Sequence, residues 1–173
     1  MELINTIKTR QSIRKFTEQK VADNDIKILL EAAMNAPTAV NCQCWRFILL
    51  DDYNIFQKIA KFHKTSTDFN DVKQAILVCA DLNQEKIAGF WPQDCAAATQ
   101  NILLTAHAQG LGAVWTGIYP LEEKVKNVKQ IMDLPENIMP FSIIPFGYSA
   151  ETKKREDRFD LKKVYKNSLE NNF

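Results

Sequence analysis

Arg10, Ser12 and Arg14 are the residues of this chain whose types and spacing most directly suggest chemistry. In an extended segment alternate side chains share a face, so these three would present two planar guanidinium forks and a hydroxyl together. Such a set suits a phosphate dianion, which guanidinium groups grip through paired charge-assisted hydrogen bonds. Lys8 and Lys15 add charge to the same stretch, which reads equally as a solvated basic turn. A second basic cluster, Lys153, Lys154, Arg155 and Arg158, lies near the other end of the chain. The two clusters could converge on one anion, or the second could be a solvated tail.

Three further stretches carry candidate groups. Pro37 to Trp45 is a loop of small and amide side chains, and its Asn41 and Gln43 could read the edge of a heterocycle or simply cap the loop. Gly110-Leu111-Gly112 is followed by Ala113 to Tyr119, an apolar segment containing Gly117. Those glycines fit a helix stop with close helix–strand packing, or backbone at Trp115, Thr116 and Gly117 held open for a planar ligand. Cys42 and Cys44 form a C-x-C pair, but no further ligands stand at matching spacing, so no metal site is expected. Only two histidines, His63 and His107, are present, and no Ser/His/Asp set emerges.

The elements that must position these groups follow from periodicity. Gln93 to Gln109 carries almost no charge and is apolar all round a helical wheel, which predicts a helix roughly 25 Å long and buried on every side. Shorter amphipathic helices are expected over Glu2–Thr9, from an N-cap at Asp23 to about Ala36, over Asp52–His63, and over Leu121–Met132. Strands are expected near 45–50, 75–80, 113–119 and 139–147, the last broken by prolines. Thr65 to Lys73 reads as a polar connection. Asp81 to Gly89 reads as a mobile loop able to wall or cover a site, with Phe90 and Trp91 closing over the helix start. This is an α+β pattern, a mostly antiparallel sheet flanked by helices, without the glycine-rich first turn of a dinucleotide-binding domain.

At 173 residues with 46% hydrophobic content, one domain over 1–173 with a proper core is the default. A net charge of +1 argues against a nucleic-acid partner. No apolar run is long enough for a membrane span, and the start of the chain lacks a secretory core, so a cytoplasmic location with reduced cysteines is expected.

Four motifs, in order, resemble those of the nitroreductase family of FMN-dependent oxidoreductases across essentially the whole chain. Arg10-Gln11-Ser12-Ile13-Arg14-Lys15-Phe16 resembles the opening R-x-S-x-R-x-F, and Ala36 to Trp45 resembles A-P-[ST]-x-x-N-x-Q-P-W. Gly110 to Gly117 matches G-L-G-x-x-W-x-G. Gly147-Tyr148, followed by Asp157-Arg158-Phe159, resembles the closing G-Y-P…D-R-[FY]. Two positions depart: Cys44 and Ser149 stand where proline is usual.

The resemblance implies a nitroreductase-like fold and an FMN site at the interface of a homodimer. Arg10, Gln11 and Ser12 would hold the phosphate with Arg158 and Arg155, and Arg14 would lie near the flavin pyrimidine. Backbone around Trp115, Thr116 and Gly117 would approach the ring. Pro37, Thr38 and Asn41 would reach it from the other subunit, with Ala39 and Gln43 of the same loop also counted as cofactor-binding. Residues 160–173 would form a tail packing on the partner. The implied reaction is ping-pong: NADPH or NADH delivers hydride to flavin N5, and a nitroaromatic, quinone or activated alkene is then reduced, with no catalytic side chain required. The alternatives are a same-fold enzyme that dehalogenates or destroys flavin, a flavin-storing or sensing protein, and a cofactor-free interaction domain.

Overall fold

The computed structural model describes residues 2–64, 67–154 and 157–171. Its centre is β2 (Ala75–Asp81), whose burial on both faces explains its uninterrupted apolar sequence. Ile76, Val78 and Ala80 point into one core, while Ala75, Leu77 and Cys79 point into a second. The first core is closed by α2 (Asp23–Met34) and α4 (Trp91–Ala108), the second by α3 (Tyr53–Phe62) and α5 (Glu122–Met132). The fold is therefore an α+β sandwich, with helices on both faces of an antiparallel sheet.

On one side β2 pairs with β1 (Trp45–Leu50), and on the other with β5 (Ile138–Gly147). The far edge of β5 pairs with β3 (Gly112–Ala113) and β4 (Thr116–Gly117). The expected single strand over 113–119 is thus two short ones, and the cause is Pro145. Both pieces share one register, Ala113 opposite Phe146 and Thr116 opposite Ile143. Between them, Val114 N–H donates to the Pro145 carbonyl at 3.1 Å, but proline has no N–H to return. The prolines interrupt the neighbouring ladder rather than β5 itself, which runs unbroken. Pro140 sits beside a register shift opposite Val78 and Cys79 that leaves Phe141 as the extra residue of a bulge.

The helices fall close to their expected places, with instructive differences. Asp52 caps α3, its carboxylate accepting from Asn54 N–H at 2.8 Å. At α2 the cap position is Ala22, and Asp23 instead lies in the first turn, where its charge favours the helix dipole. The helix α4 is buried on one face only: Cys95, Ala98, Thr99, Ile102 and Ala106 are inward, whereas Ala96, Ala97 and Leu104 are half-buried and Gln100 is exposed. Apolarity all round this helix therefore exceeds what its own chain covers. The expected polar connection before β2 contributes the buried Phe69 and Val72 to the core.

α1 (Leu3–Thr9) lies over α4, where His107 Nε2 and Thr9 Oγ1 meet at 2.8 Å. Its apolar stripe faces outward: Leu3 is 68% exposed, Ile4 60% and Ile7 48%. No helix among the described residues is long and apolar enough to cross a membrane.

Candidate functional site

After α1 the chain runs extended along the sheet edge. Ile13 N–H donates to the Ala113 carbonyl at 3.1 Å, and Thr17 N–H to the Tyr148 carbonyl at 2.9 Å. Ser12 bridges β3 in parallel and Phe16 bridges Ser149 in antiparallel fashion. Close packing fixes the segment further. A Cβ on Gly112 would lie 2.6 Å from Ile13 Cγ2, so Gly112 is there to admit Ile13.

The three glycines have three different jobs. Gly110, at φ +78, ends α4 in a left-handed turn: Leu111 N–H reaches the Ala106 carbonyl at 2.8 Å and Gly110 N–H the His107 carbonyl at 3.0 Å. Gly112 is a packing contact. At Gly117 a Cβ would meet nothing within 4 Å, and the bare backbone borders open space beside Arg14.

The two basic clusters converge. Arg10, Gln11, Ser12 and Arg14 form one wall of a cavity of about 500 Å³, and Lys153, Lys154, Asp157, Arg158 and Phe159 form the other. With Lys8, the described lining holds six cationic side chains and one carboxylate. Burial, and then the neighbouring Arg158 charge, lower the Arg10 pKa. Two guanidinium groups held near each other in a cavity lined mostly by cations suit an anion.

The walls are tied together by Glu151 and Lys153. The Lys153 ammonium donates to the Ser12 carbonyl at 2.6 Å and pairs with Glu151 at 3.2 Å. Glu151 Oε1 also accepts from Arg14 N–H at 2.6 Å and Lys15 N–H at 3.3 Å. Burial pushes the Glu151 carboxyl up, but these hydrogen bonds and the Lys153 charge together hold it below the usual value.

Arg14 also lines a smaller cavity of about 160 Å³, whose other lining includes Val114 to Gly117, His63, Thr67 and Lys124. His63 is only 3% exposed, its ring edge-on to Phe62 and Phe69. Burial first, then the Lys124 charge, push its pKa down to about 4.

Arg10, Gln11, Ser12, Arg14, Trp115, Thr116, Gly117 and Arg158 are therefore brought to two cavities that adjoin at Arg14. Arg155 lies outside the described residues. Pro37, Thr38, Ala39, Asn41 and Gln43 line neither cavity. They form a surface loop braced internally, with Gln43 Nε2 donating to Asn41 Oδ1 at 2.9 Å. The segment expected to cover a site, 81–91, lines neither cavity and is tied down instead. Asp81 binds Arg46 at 3.1 Å and Asn137 at 2.8 Å, and Glu85 caps α4 by accepting from Phe90 and Trp91 N–H at 2.9 and 3.0 Å. Trp91 is buried against Tyr119 and Phe141, while Phe90 is exposed.

Sequence reasoning missed His63, Lys124 and Glu151. Lys153 was visible as part of a basic run, but nothing in the sequence says that it reaches a carbonyl 141 residues away.

The nitroreductase family profile matches residues 7–93 and 81–148. A protein of Methanothermobacter thermautotrophicus, provisionally named an NADH dehydrogenase/NAD(P)H nitroreductase, is 45% identical over 165 residues, spanning 95% of this chain and 86% of its own length. A crystal structure from Clostridium acetobutylicum, provisionally named an NADH oxidase, superposes with a TM-score of 0.89 at 42% identity over 96% of this chain and 99% of its own. A structure from Desulfovibrio desulfuricans, provisionally named a nitroreductase and in complex with FMN, has a TM-score of 0.84 at 26% identity, covering 97% of this chain and 98% of its own.

Proposed function

Because the chain belongs to the nitroreductase family, we propose that it is an FMN-dependent NAD(P)H oxidoreductase working by alternate binding of donor and acceptor. The observation that carries this reading is the cavity that brings Arg10 and Arg158 together beside Ser12 and Lys153, with Asp157 the one carboxylate among its described lining residues. FMN fits on two counts. Its phosphate dianion answers the excess of cations, and its flat ring can lie against the open backbone at Gly117, where a side chain would intrude.

When bound, FMN supplies two-electron chemistry, taking hydride equivalents from a nicotinamide and passing them to an acceptor. The side chains bind and tune. Arg10, Gln11, Ser12 and Arg158, with Arg155, hold the phosphate. Arg14, shared by both cavities, sets a fixed positive charge towards the pyrimidine end, where negative charge gathers on reduction. Trp115, Thr116 and Gly117 offer backbone to the ring. No side-chain nucleophile is needed, and His107, engaged with Thr9, acts as a structural group.

The working unit is a cytosolic homodimer. Pro37, Thr38, Ala39, Asn41 and Gln43 contribute to the partner's flavin site. The exposed Leu3, Ile4 and Ile7, the half-covered outer face of α4, and the exposed Leu161, Tyr165 and Leu169 of the tail supply the apolar surface that a partner would bury. Acceptors are small oxidised molecules, nitroaromatics, quinones or activated alkenes.

The reading is tested by titrating FMN into flavin-free protein and following fluorescence quenching. Stoichiometric uptake, one FMN per chain, is expected. Uptake that is absent, or that is unchanged when Arg10 and Arg158 are both replaced by alanine, would overturn the site.

A further inference from the structure

The chain's four cysteines are all free thiols, and two of them lie on a strained loop. Val40, Asn41 and Gln43 each hold a positive φ, of 46°, 53° and 51°, which is uncommon without glycine and an outlier for a β-branched residue. This winding turns both Cys42 and Cys44 onto one buried carboxylate. Asp94 Oδ2 lies 3.2 Å from Cys42 Sγ and 3.9 Å from Cys44 Sγ. All three ligand atoms fall within 4.8 Å of one another.

The carboxylate is preset for a ligand role. Asp94 Oδ1 accepts the Ala39 N–H at 2.9 Å, which fixes the plane of the group and leaves Oδ2 facing the thiols. Asp94 is 4% exposed, and none of the ion pairs among the described residues involves it. Among the described residues, the donors to this buried acid are one backbone N–H and the two thiols.

We propose that Cys42, Cys44 and Asp94 form a binding site for a soft divalent cation of the zinc class. With metal–sulfur bonds of about 2.3 Å and a metal–oxygen bond of about 2.0 Å, a tetrahedron has ligand–ligand edges of roughly 3.5 to 3.8 Å. The observed thiol–carboxylate separations of 3.2 and 3.9 Å bracket those edges. Two sulfurs exclude magnesium and calcium, which take oxygen. On binding, two S–H bonds give way to two sulfur–metal bonds, two protons leave to solvent, and the fourth position stays open to water. Because each thiol gives up its proton to bind, uptake is proton-coupled. The bound cation would staple the loop over 37–44 to the first turn of α4.

This site became visible only in the fold, because Asp94 lies 52 residues beyond Cys42. It does not rest on the flavin reading, since none of the three residues lines the Arg10 or Arg14 cavities.

The test is a cobalt(II) titration of the fully reduced, metal-free holoprotein, read in the d–d bands of a tetrahedral thiolate site, which lie to the red of flavin absorption. One equivalent should saturate the bands, and zinc should abolish them. Affinity should rise by more than about tenfold per pH unit, because binding displaces two protons. Cys42→Ala, at the half-buried rim, should remove the bands while retaining the wild-type circular dichroism and flavin spectrum. Cys44→Ala serves as a second variant. Absent bands, an octahedral spectrum, or bands that survive in both variants would overturn the proposal.

Discussion

Arg10 carries the phosphate end of the proposed site, and its worth can be bounded. A hydrogen bond to a charged partner contributes about 1.5–3 kcal/mol, so Arg10→Ala should weaken FMN binding roughly 10- to 150-fold. Arg10→Lys should restore only part of that, because an ammonium cannot bind the phosphate through a planar fork. Fluorescence titration of the two variants checks both statements. At the other end of the site His63 makes a prediction about pH. Its pKa is about 4 in the folded chain and about 6.5 when unfolded. The folded value is the depressed one, so between these limits the unfolded chain takes up a proton that the folded chain refuses. His63 therefore makes stability rise with pH across this window, and fall as pH drops from 6.5 towards 4. His63→Phe, a ring suited to the contacts with Phe62 and Phe69, should flatten that slope. Urea midpoints of the variant and the parent protein, at pH 4.5 and pH 7, would show it.

Among the elements, the run from α4 through β3 to β4 separates packing from binding. Gly112→Ala forces a Cβ to 2.6 Å from Ile13, which must shift the whole segment bearing Arg10, Ser12 and Arg14. Stability and FMN affinity should fall together. Gly117→Ala meets nothing within 4 Å, so thermal stability should hold while FMN affinity drops. Gly110→Ala, at φ +78, should cost about 1 kcal/mol and lower the melting temperature by about 3 °C, with FMN affinity kept. Melting curves and FMN titrations on the three variants distinguish these outcomes. How much of this was legible beforehand follows the same division. Local periodicity and capping chemistry located α1 to α5, β1, β2 and β5, because these signals are carried by neighbours in the chain. The split of the 113–119 strand was not legible, because its cause, Pro145, acts across the sheet. One-sided burial of α4 escaped for a related reason: apolarity says what a helix will bury, not which chain will cover it. At the site, Arg10, Ser12 and Arg158 were readable from residue type, whereas Glu151, Lys153 and His63 act through contacts that only folding creates.

The molecule as a whole presents apolar surface that its own chain leaves uncovered. Leu3, Ile4 and Ile7 form a stripe on α1, and α1 leads directly into Arg10. Dimerisation and cofactor binding are coupled in the proposed assembly, because the segment entering the cavity starts on that interface. Replacing Leu3 and Ile7 together by aspartate should yield a monomer in sedimentation, with FMN affinity reduced at least about tenfold, since roughly 1.4 kcal/mol of lost contacts suffices for that. A fully dimeric double variant would instead place the interface elsewhere. Whether this chain passes electrons from a nicotinamide through bound FMN to a small acceptor is decided by an anaerobic absorbance spectrum. The purified protein should show the flavin bands, lose them on addition of NADPH or NADH, and regain them when a nitroaromatic or quinone is added. Bands that neither nicotinamide bleaches, or a protein that takes up no flavin when FMN is supplied, would rule that electron path out.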